Sequence, residues 1–171
     1  MDETNVGGYS VAYGRDEERF PVYLLALLSA GLLAGAWVTG SYLALVLGVA
    51  AAGATYYNFP LLETRPTIGA NEYGVFVQGL GLIRWRAIDR IDLVAIAERA
   101  EINHELQIAL NMTVTSALVA DWRKQPFWRS LMRIPWAMTY SNVVRINIDP
   151  FDHPPDEIHR TLTRMWRHYR S

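Results

Sequence analysis

One long stretch of the chain carries no charge, and it restricts the fold more than any other feature. From Phe20 to Leu62 there is no Asp, Glu, Lys, Arg or His. A single helix needs about 20 apolar residues to cross a hydrocarbon core of roughly 30 Å, so the stretch is about two spans long. The polar cluster Thr39-Gly40-Ser41 lies near its middle. We therefore predict two antiparallel transmembrane helices joined by a tight turn.

Small residues are abundant in both predicted helices, and they let two backbones approach closely where no hydrophobic effect drives association. They are Ser29, Gly31, Gly35, Gly48, Ala50, Ala51, Ala52 and Gly53. Gly31 and Gly35 form a GxxxG spacing, so we assign both to helix packing. Two interpretations stay open. The pair either joins the two helices of the hairpin or contacts a transmembrane helix of another chain.

The residues around the uncharged stretch predict its orientation. Its aromatic residues lie near the predicted helix ends, as in the belt at a membrane surface: Tyr23, Trp37, Tyr42, Tyr56 and Tyr57. An acidic flank at 16–18 and the lack of a cleavage site argue against a cleaved signal peptide. All lysines and arginines fall outside the central turn, so the positive-inside rule predicts two cytoplasmic termini.

Composition excludes several kinds of function. With no cysteine, the chain has no disulfide framework, thiolate zinc site or cysteine nucleophile. Residues 63–171 carry fourteen basic and twelve acidic side chains, and this near balance of charge does not predict nucleic-acid binding. Residues 1–19 carry five acids against two arginines and contain glycine, which predicts an acidic flexible tail. The expected organisation is a tail at 1–19, a transmembrane hairpin at 20–62 and a cytoplasmic domain at 63–171.

After the hairpin the hydrophobic pattern changes to short alternating runs punctuated by glycine and asparagine, which predicts β-strands. The predicted strands are 73–78, 80–85, 87–96, 104–111 and 143–149. Pro154-Pro155-Asp156-Glu157 then signals a helix start, because proline suits the first turn and acids favour the positive end of the helix dipole. Apolar residues recur along this helix at three- and four-residue spacing: Ile158, Leu162, Met165, Trp166 and Tyr169. One apolar stripe can therefore close over a sheet.

These elements outline an α+β domain with a pleckstrin-homology-like (PH-like) antiparallel barrel or bent sheet, closed by the C-terminal helix. The run NEYGVFVQGLGLIRWRAIDRIDL, with Trp85 and Ile88-Asp89, resembles the opening of bacterial PH-like domains. The run VVRINIDPFDHPPDEIHRTLTRMW is similar to the last strand and capping helix of small bacterial inner-membrane proteins that place two transmembrane helices before such a domain. The resemblance implies a fold and a location in the bacterial cytoplasmic membrane. It implies no activity.

Phosphoinositide binding is not implied, because the strand-loop-strand from Gln78 to Arg86 has only Arg84 and Arg86 as basic residues. No catalytic arrangement or GxSxG elbow is present, and the glycine pairs lack a phosphate-binding context. The histidines His104, His153, His159 and His168 have no metal-ligand spacing. We expect no catalytic residue, no metal and no cofactor, and hence a protein that is not an enzyme.

A helical insert is predicted near 119–136. A short helix from Pro126 to before Pro135 places aromatic and apolar residues on one side and Arg129 and Arg133 on the other, as in a helix lying in a bilayer interface. The predicted membrane or partner surface is Trp122, Phe127, Trp128, Arg129, Leu131, Met132, Arg133 and Trp136. The alternative is that this face packs on the sheet of its own domain.

Two functions fit this organisation. The first is a noncatalytic membrane-anchored module that scaffolds or recruits a protein partner or senses lipid at the cytoplasmic face. The second is an accessory subunit of a larger membrane complex, docked through the hairpin. Membrane lipid and a protein partner are the expected ligands, and nucleic acid is not.

Overall fold

The computed structural model describes residues 8–14, 16–63, 65–98, 101–123, 126–139 and 141–170, with side-chain positions for all of these except 16–18, 98, 101, 127 and 130. The chain divides into two compact units. We call the first the sheet unit (Met1–Gly14, Thr64–Gln125 and Ile134–Ser171) and the second the helical unit (Arg15–Glu63 and Pro126–Arg133).

The helical unit contains the predicted hairpin. Helix α1 (Asp16–Thr39) and helix α2 (Tyr42–Asn58) are joined at Gly40, whose positive φ of 66° suits a residue without a Cβ. Ser41 caps α2, since its side chain accepts a hydrogen bond from the Ala44 N–H. A 3₁₀ turn, Phe59–Leu62, extends α2. The stretches Arg19–Thr39 and Tyr42–Leu62 are long and apolar enough to cross a membrane, judged by length and composition.

Small residues bring the two helices together. Ser29 Oγ donates a hydrogen bond to the Gly48 carbonyl at 3.0 Å inside the helix interface. Gly48 is so close to Leu33 that an added Cβ would lie 2.9 Å from the leucine side chain. Ala36 and Ala51 are also buried. Small residues on both helices let the backbones approach closely, and the Leu33 side chain packs against the space that Gly48 leaves open.

The sheet unit is built from nine described strands in two antiparallel sheets. In chain order the strands are β1 (Tyr9–Ala12), β2 (Pro66–Asn71), β3 (Gly74–Val77), β4 (Gly81–Arg84), β5 (Ile88–Glu98), β6 (Glu101–Leu110), β7 (Leu118–Asp121), β8 (Trp136–Thr139) and β9 (Val143–Asn147). One sheet has the order β1-β2-β3-β4-β7 and the other β5-β6-β9-β8. A short helix, α3 (Val114–Ala117), precedes β7. This arrangement is consistent with the predicted α+β domain.

The C-terminal helix α5 (Pro155–Tyr169) packs on β5 and β2, as its apolar stripe predicts. Ile158 and Leu162 on that stripe are fully buried. Two polar side chains of α5 also bond to backbone carbonyls of β5. Trp166 Nε1 donates to Ile88 at 3.2 Å, and His159 Nε2 bonds to the Ile91 carbonyl at 3.1 Å. The helix therefore covers the beginning of this strand with both apolar and polar groups.

Part of the predicted flexible tail at 1–19 is regular structure: a strand forms after residue 8 and a helix begins at Asp16. Residues 1–7 and Arg15 lie outside the described residues. Strand β1 pairs antiparallel with β2, with Tyr9 opposite Ala70 and Val11 opposite Ile68. Val11 and Tyr13 are buried, and Tyr13 forms a β-bridge with Phe151. Helix α1 also begins at Asp16, ahead of the predicted Phe20. Tertiary pairing therefore outweighs the polar composition of this segment.

The helical insert predicted near 119–136 is shorter than expected. Its first residues belong to β7 and its last residue begins β8. The only helix described between them is α4, the single turn Phe127–Ser130. The prediction of a helix from Pro126 to before Pro135 is wrong beyond Ser130, because the Arg133 N–H bonds to the Tyr57 carbonyl and not within its own segment.

Candidate functional site

The segment Pro126–Arg133, which we call the capping segment, lies in the helical unit beside the end of α2. Two hydrogen bonds hold it there. Tyr56 Oη donates to the Trp128 carbonyl at 2.7 Å, and the Arg133 N–H donates to the Tyr57 carbonyl at 2.8 Å. The segment is thus tied to the last turn of α2 by a side chain and by the backbone.

The bond from Arg133 has a specific physical role. The last carbonyls of a helix have no partner within the helix, and each one left unsatisfied in hydrocarbon costs several kcal/mol. Phe59 N–H already bonds to the Tyr56 carbonyl, and Arg133 N–H satisfies that of Tyr57. In a continuing helix the Arg133 N–H would instead bond to Arg129. The α-helix therefore ends after one turn: the Met132 N–H bonds three residues back to the Arg129 carbonyl at 3.1 Å, and the Arg133 N–H caps α2.

Apolar and aromatic side chains around this cap are exposed. Trp128 is 58% exposed and Leu131 is 54% exposed, and neither is inserted into a core. Tyr56, Tyr57 and Phe59 at the end of α2 are exposed as well. We call these five residues the aromatic surface. A surface that is apolar yet carries hydroxyl and indole N–H groups suits the boundary between hydrocarbon and water.

Two arginines accompany the aromatic surface. Arg129 is exposed and Arg133 is half-buried, as is Met132 between them in the chain. Cations are favoured at a helix C-terminus because the carbonyls there carry partial negative charge. They are also favoured near anionic lipid headgroups. The capping segment therefore offers positive charge where a membrane helix would leave the bilayer.

The predicted surface residues do not form one cluster. Trp128, Arg129, Leu131, Met132 and Arg133 share the helical unit, whereas Trp122 and Trp136 belong to the sheet unit. The side chain of Phe127 lies outside the described residues.

Within the sheet unit, the ring of Trp122 lies 6.4 Å from that of Phe76, centroid to centroid. Its neighbour Arg123 donates two hydrogen bonds to the Asp121 carboxylate, which raises the pKa of the guanidinium and pairs its charge locally. Trp136 is half-buried, and its Nε1 has no partner in the part of the chain that the structure describes. These residues therefore have local roles in the sheet unit.

The contribution of Tyr56 and Tyr57 to the cap does not follow from the sequence pattern. The sequence predicts both only as part of an aromatic belt, because their bonds to Trp128 and Arg133 join positions far apart in the chain. The position of two adjacent tyrosines at the end of an apolar helix is the one signal that could have drawn attention to them.

Gly31 and Gly35 lie away from the contact between α1 and α2. A Cβ added at either position would meet no atom within 4 Å. The contact instead uses Ser29 and Leu33 against Gly48, so the structure does not support the interpretation that the GxxxG pair joins the hairpin. A shallow apolar depression lies beside Gly31, lined by Leu24, Leu27, Leu28, Gly31 and Leu32.

The polar pairs of the sheet unit have structural roles. Asp149 accepts hydrogen bonds from the His104 backbone N–H at 2.6 Å and pairs with its ring Nδ1 at 2.9 Å, which joins β6 to the turn after β9. Arg145 makes two 2.7 Å hydrogen bonds to Glu105 across β6 and β9. Among the described residues, no three His, Cys, Asp or Glu side chains are arranged to hold a metal.

Comparisons of the chain with protein-family models, curated proteins and solved structures give no match.

Proposed function

We propose that this protein is a noncatalytic, two-pass membrane-anchored module of the bacterial cytoplasmic membrane. Its PH-like domain scaffolds or recruits a protein partner, or senses lipid, at the cytoplasmic face. The observation that carries the proposal is the capping segment, which leaves the sheet unit in sequence, bonds to the end of α2 and exposes Trp128.

Physical chemistry supports placing the aromatic surface in the membrane interface. Exposed tryptophan and leucine are unfavourable in water, whereas an indole ring in the interface is buried on its apolar side while its N–H stays hydrated. Arg129 and Arg133 would each gain about 1 kcal/mol near an anionic lipid surface. Packing of Trp128 on the domain's own sheet, the other interpretation, is disfavoured by its 58% exposure.

The PH-like assignment is supported by two antiparallel sheets followed by a helix that packs on them. The resemblance of residues 71–93 and 143–166 to bacterial PH-like domains points the same way. The exposed aromatic surface suits contact with a membrane or a partner, so we infer a binding module.

Strand pairing supports the two-pass topology. Strand β1 precedes α1 in the chain and β2 follows α2, yet Tyr9–Ala12 pairs directly with β2. Two strands of one sheet lie on the same side of a membrane, so the chain crosses it twice or not at all. The positive-inside rule selects the cytoplasmic side. Reporter fusions after Ser171 should report a cytoplasmic location, and periplasmic activity there would contradict the orientation.

Site-specific labelling tests the proposed interface. Because the chain has no cysteine, Leu131→Cys can be labelled alone with an environment-sensitive fluorophore in the full chain reconstituted in bilayers. We expect blue-shifted emission that brominated lipids quench. The matched control is Ile102→Cys, which is also an exposed apolar position but lies on β6. If the fluorophore at Leu131→Cys emitted at the same longer wavelength as the control, and brominated lipids did not quench it, the proposed membrane interface would be rejected.

The open face at Gly31 and Gly35 favours a second candidate, an accessory subunit docked through its hairpin onto a larger membrane complex. The closest approach of two helices needs glycine at the contact, and these two glycines are not used within the hairpin. Purification in mild detergent separates the candidates. An accessory subunit arrives with stoichiometric partner chains, and Gly31→Leu releases them, whereas an anchored module alone does not.

A further inference from the structure

Strand β5 is covered on one side by β6, but its other side is only partly covered. It forms one edge of its sheet, whose order is β5-β6-β9-β8. The side chains of Trp166 and His159 bond to the carbonyls of Ile88 and Ile91 on the outer side. In the part of the chain that the structure describes, no bond reaches the outer side beyond Ile91.

The alternation of an antiparallel ladder shows which backbone groups are open. Residues along a strand point their N–H and C=O groups alternately toward one neighbour and the other. Because the Ile91 carbonyl points outward to His159, the N–H and C=O groups of Leu93, Ala95 and Ala97 also point outward. The stretch Leu93–Ala97, which we call the open edge, therefore presents three donors and three acceptors in the spacing of an unpaired strand.

The open edge also lacks the devices that normally protect such an edge. Proteins blunt exposed edges with charged residues, prolines or bulges. The sequence of the open edge is Leu-Val-Ala-Ile-Ala, and its only described irregularity, between Ile88 and Arg90, comes earlier in β5. Water can satisfy these groups one by one, whereas an extended backbone pairs with all of them at once, which makes such an edge a template for another strand.

We propose that the open edge pairs with the same edge of a second copy of this chain, so that two four-stranded sheets join across a two-fold axis. Such an interface is isologous, so the stretch must be complementary to itself. The open edge meets this requirement because it has no charge that would face a like charge within the stretch.

One register fits the open edge and its flanks. A two-fold axis at Val94 places Leu93 opposite Ala95 of the second copy, as hydrogen-bonded pairs, and Val94 opposite itself as a non-hydrogen-bonded pair. The large side chain of Leu93 then faces the small one of Ala95, and the β-branched Val94 faces its own copy. The same register sets Arg90 opposite position 98 of the second copy, a glutamate in the sequence. Arg90 is exposed and already pairs with Asp92 of its own strand at 2.9 Å, so position 98 would add a second carboxylate to this arginine. Opposite charges therefore meet in this register, which favours a second copy over an unrelated strand.

Anchoring adds a further reason, which rests on the proposed function. Two copies in one membrane meet at a raised effective concentration, so a short strand contact suffices to pair them. The contact itself needs no membrane. Failure of the labelling experiment at Leu131 would therefore leave the strand pairing untouched, and failure of the strand pairing would leave the membrane interface untouched.

Disulfide crosslinking of the full chain in mild detergent tests the pairing. The Cα atoms of a non-hydrogen-bonded pair lie roughly 4.5 Å apart, within the range that a disulfide accepts. Val94→Cys should therefore give a covalent dimer on mild oxidation. Val119→Cys is the matched control, since Val119 is exposed on β7, the edge strand of the other sheet. We expect at least about tenfold more dimer from Val94→Cys, because a disulfide forms only when Cα atoms come within about 7 Å.

Two further variants separate strand pairing from chance collisions. Ala95→Pro removes an outward N–H that the fold of one copy does not use, so it should abolish the crosslink from Val94→Cys without unfolding the chain. Arg90→Glu should lower the crosslinked fraction, and Glu98→Arg in the same chain should restore it. Equal dimer from Val94→Cys and Val119→Cys, or dimer that Ala95→Pro leaves unchanged in a folded chain, would overturn the proposal.

Discussion

The same residue types are placed in opposite ways in the two units. In the helical unit Leu27 and Leu43 are 73% and 70% exposed, and a serine, Ser29, is buried between the helices. In the sheet unit Leu80 and Leu106 are fully buried. In water, a leucine left exposed forgoes roughly 1.5–3 kcal/mol of burial. This contrast is the one expected if hydrocarbon surrounds the helices and water surrounds the sheets, as proposed above.

The difference also concerns what holds each unit together. The sheet unit has a core of large apolar side chains, for which the hydrophobic effect is the main favourable term. In the helical unit, small residues such as Gly48 pack against Leu33, and Ser29 donates a buried hydrogen bond to the Gly48 carbonyl. Mutations of matched residues in the two units should therefore have unequal effects.

Truncating one tryptophan in each unit should give the largest contrast. Trp85 is 3% exposed, and its Nε1 donates to the Asn71 carbonyl at 2.8 Å. Trp85→Ala is expected to lower the free energy of unfolding of the sheet unit by about 3–5 kcal/mol. Trp128→Ala should change it by no more than about 0.5 kcal/mol, as is usual for a surface position. Denaturant unfolding of the full chain in detergent, followed by near-ultraviolet circular dichroism, measures both. Equal losses would place Trp128 in a core.

A matched pair of leucines sharpens the comparison. Leu106→Ala should destabilise the sheet unit by about 2–5 kcal/mol, because it opens a cavity among fully buried neighbours. Leu27→Ala removes a side chain that contacts little of the protein, and its effect should stay near zero. The same unfolding measurement applies. A comparable loss at Leu27 would show that another part of the protein covers this helix face.

Glycine substitutions test the helix interface. Gly48→Ala puts a Cβ 2.9 Å from the Leu33 side chain, and overpacking of this kind costs about 1–3 kcal/mol. Gly31→Ala meets no atom within 4 Å and gains helix propensity, so we expect no loss. Unfolding of the hairpin by a denaturing detergent, followed by far-ultraviolet circular dichroism, distinguishes the two. A loss at Gly31 and none at Gly48 would reverse the assignment of the helix faces.

The smallest expected effect is a pH dependence at Tyr9. Burial, and then the carboxylates of Glu157 and Asp152, raise the pKa of Tyr9 from 10.0 to about 12. The folded state therefore holds the proton more tightly than the unfolded state does. Its contribution to stability is complete below pH 10 and is lost as the pH rises toward 12. Tyr9→Phe should flatten the fall in unfolding midpoint over this interval relative to the unmodified chain, and an unchanged profile would contradict the assignment.

The elements that the sequence predicts well carry their signal locally. The apolar helices, the β3–β4 pair, strand β9 and helix α5 each show a continuous pattern, and the buried positions Val144, Ile146, Ile158 and Leu162 follow from the periodicity alone. No distant partner is needed to recognise them.

The elements that the sequence does not predict depend on distant partners. Strand β1 has four residues in a polar context and becomes a strand only beside β2, which itself begins with a proline and contains a glycine. Strands β7 and β8 are equally short. The helix predicted for the capping segment is wrong for the same reason, because the bond from the Arg133 N–H to the Tyr57 carbonyl replaces a bond within the helix. The sequence pattern groups Trp122 and Trp136 with Trp128, whereas the structure has the first two in the sheet unit and Trp128 in the helical unit.

The pairing of β1 with β2 has a consequence for biosynthesis. The ribosome delivers β1 first, then both apolar helices, and only afterwards the strand with which β1 pairs. Because chains fold largely in the order in which they emerge, β1 must wait unpaired until the anchor has been made. If the two helices cross the membrane as proposed, the sheet gains its outermost strand only after the second helix has returned the chain to the starting side. A chain that crossed only once would then lack the pairing of β1 with β2, and its incomplete sheet would be open to degradation.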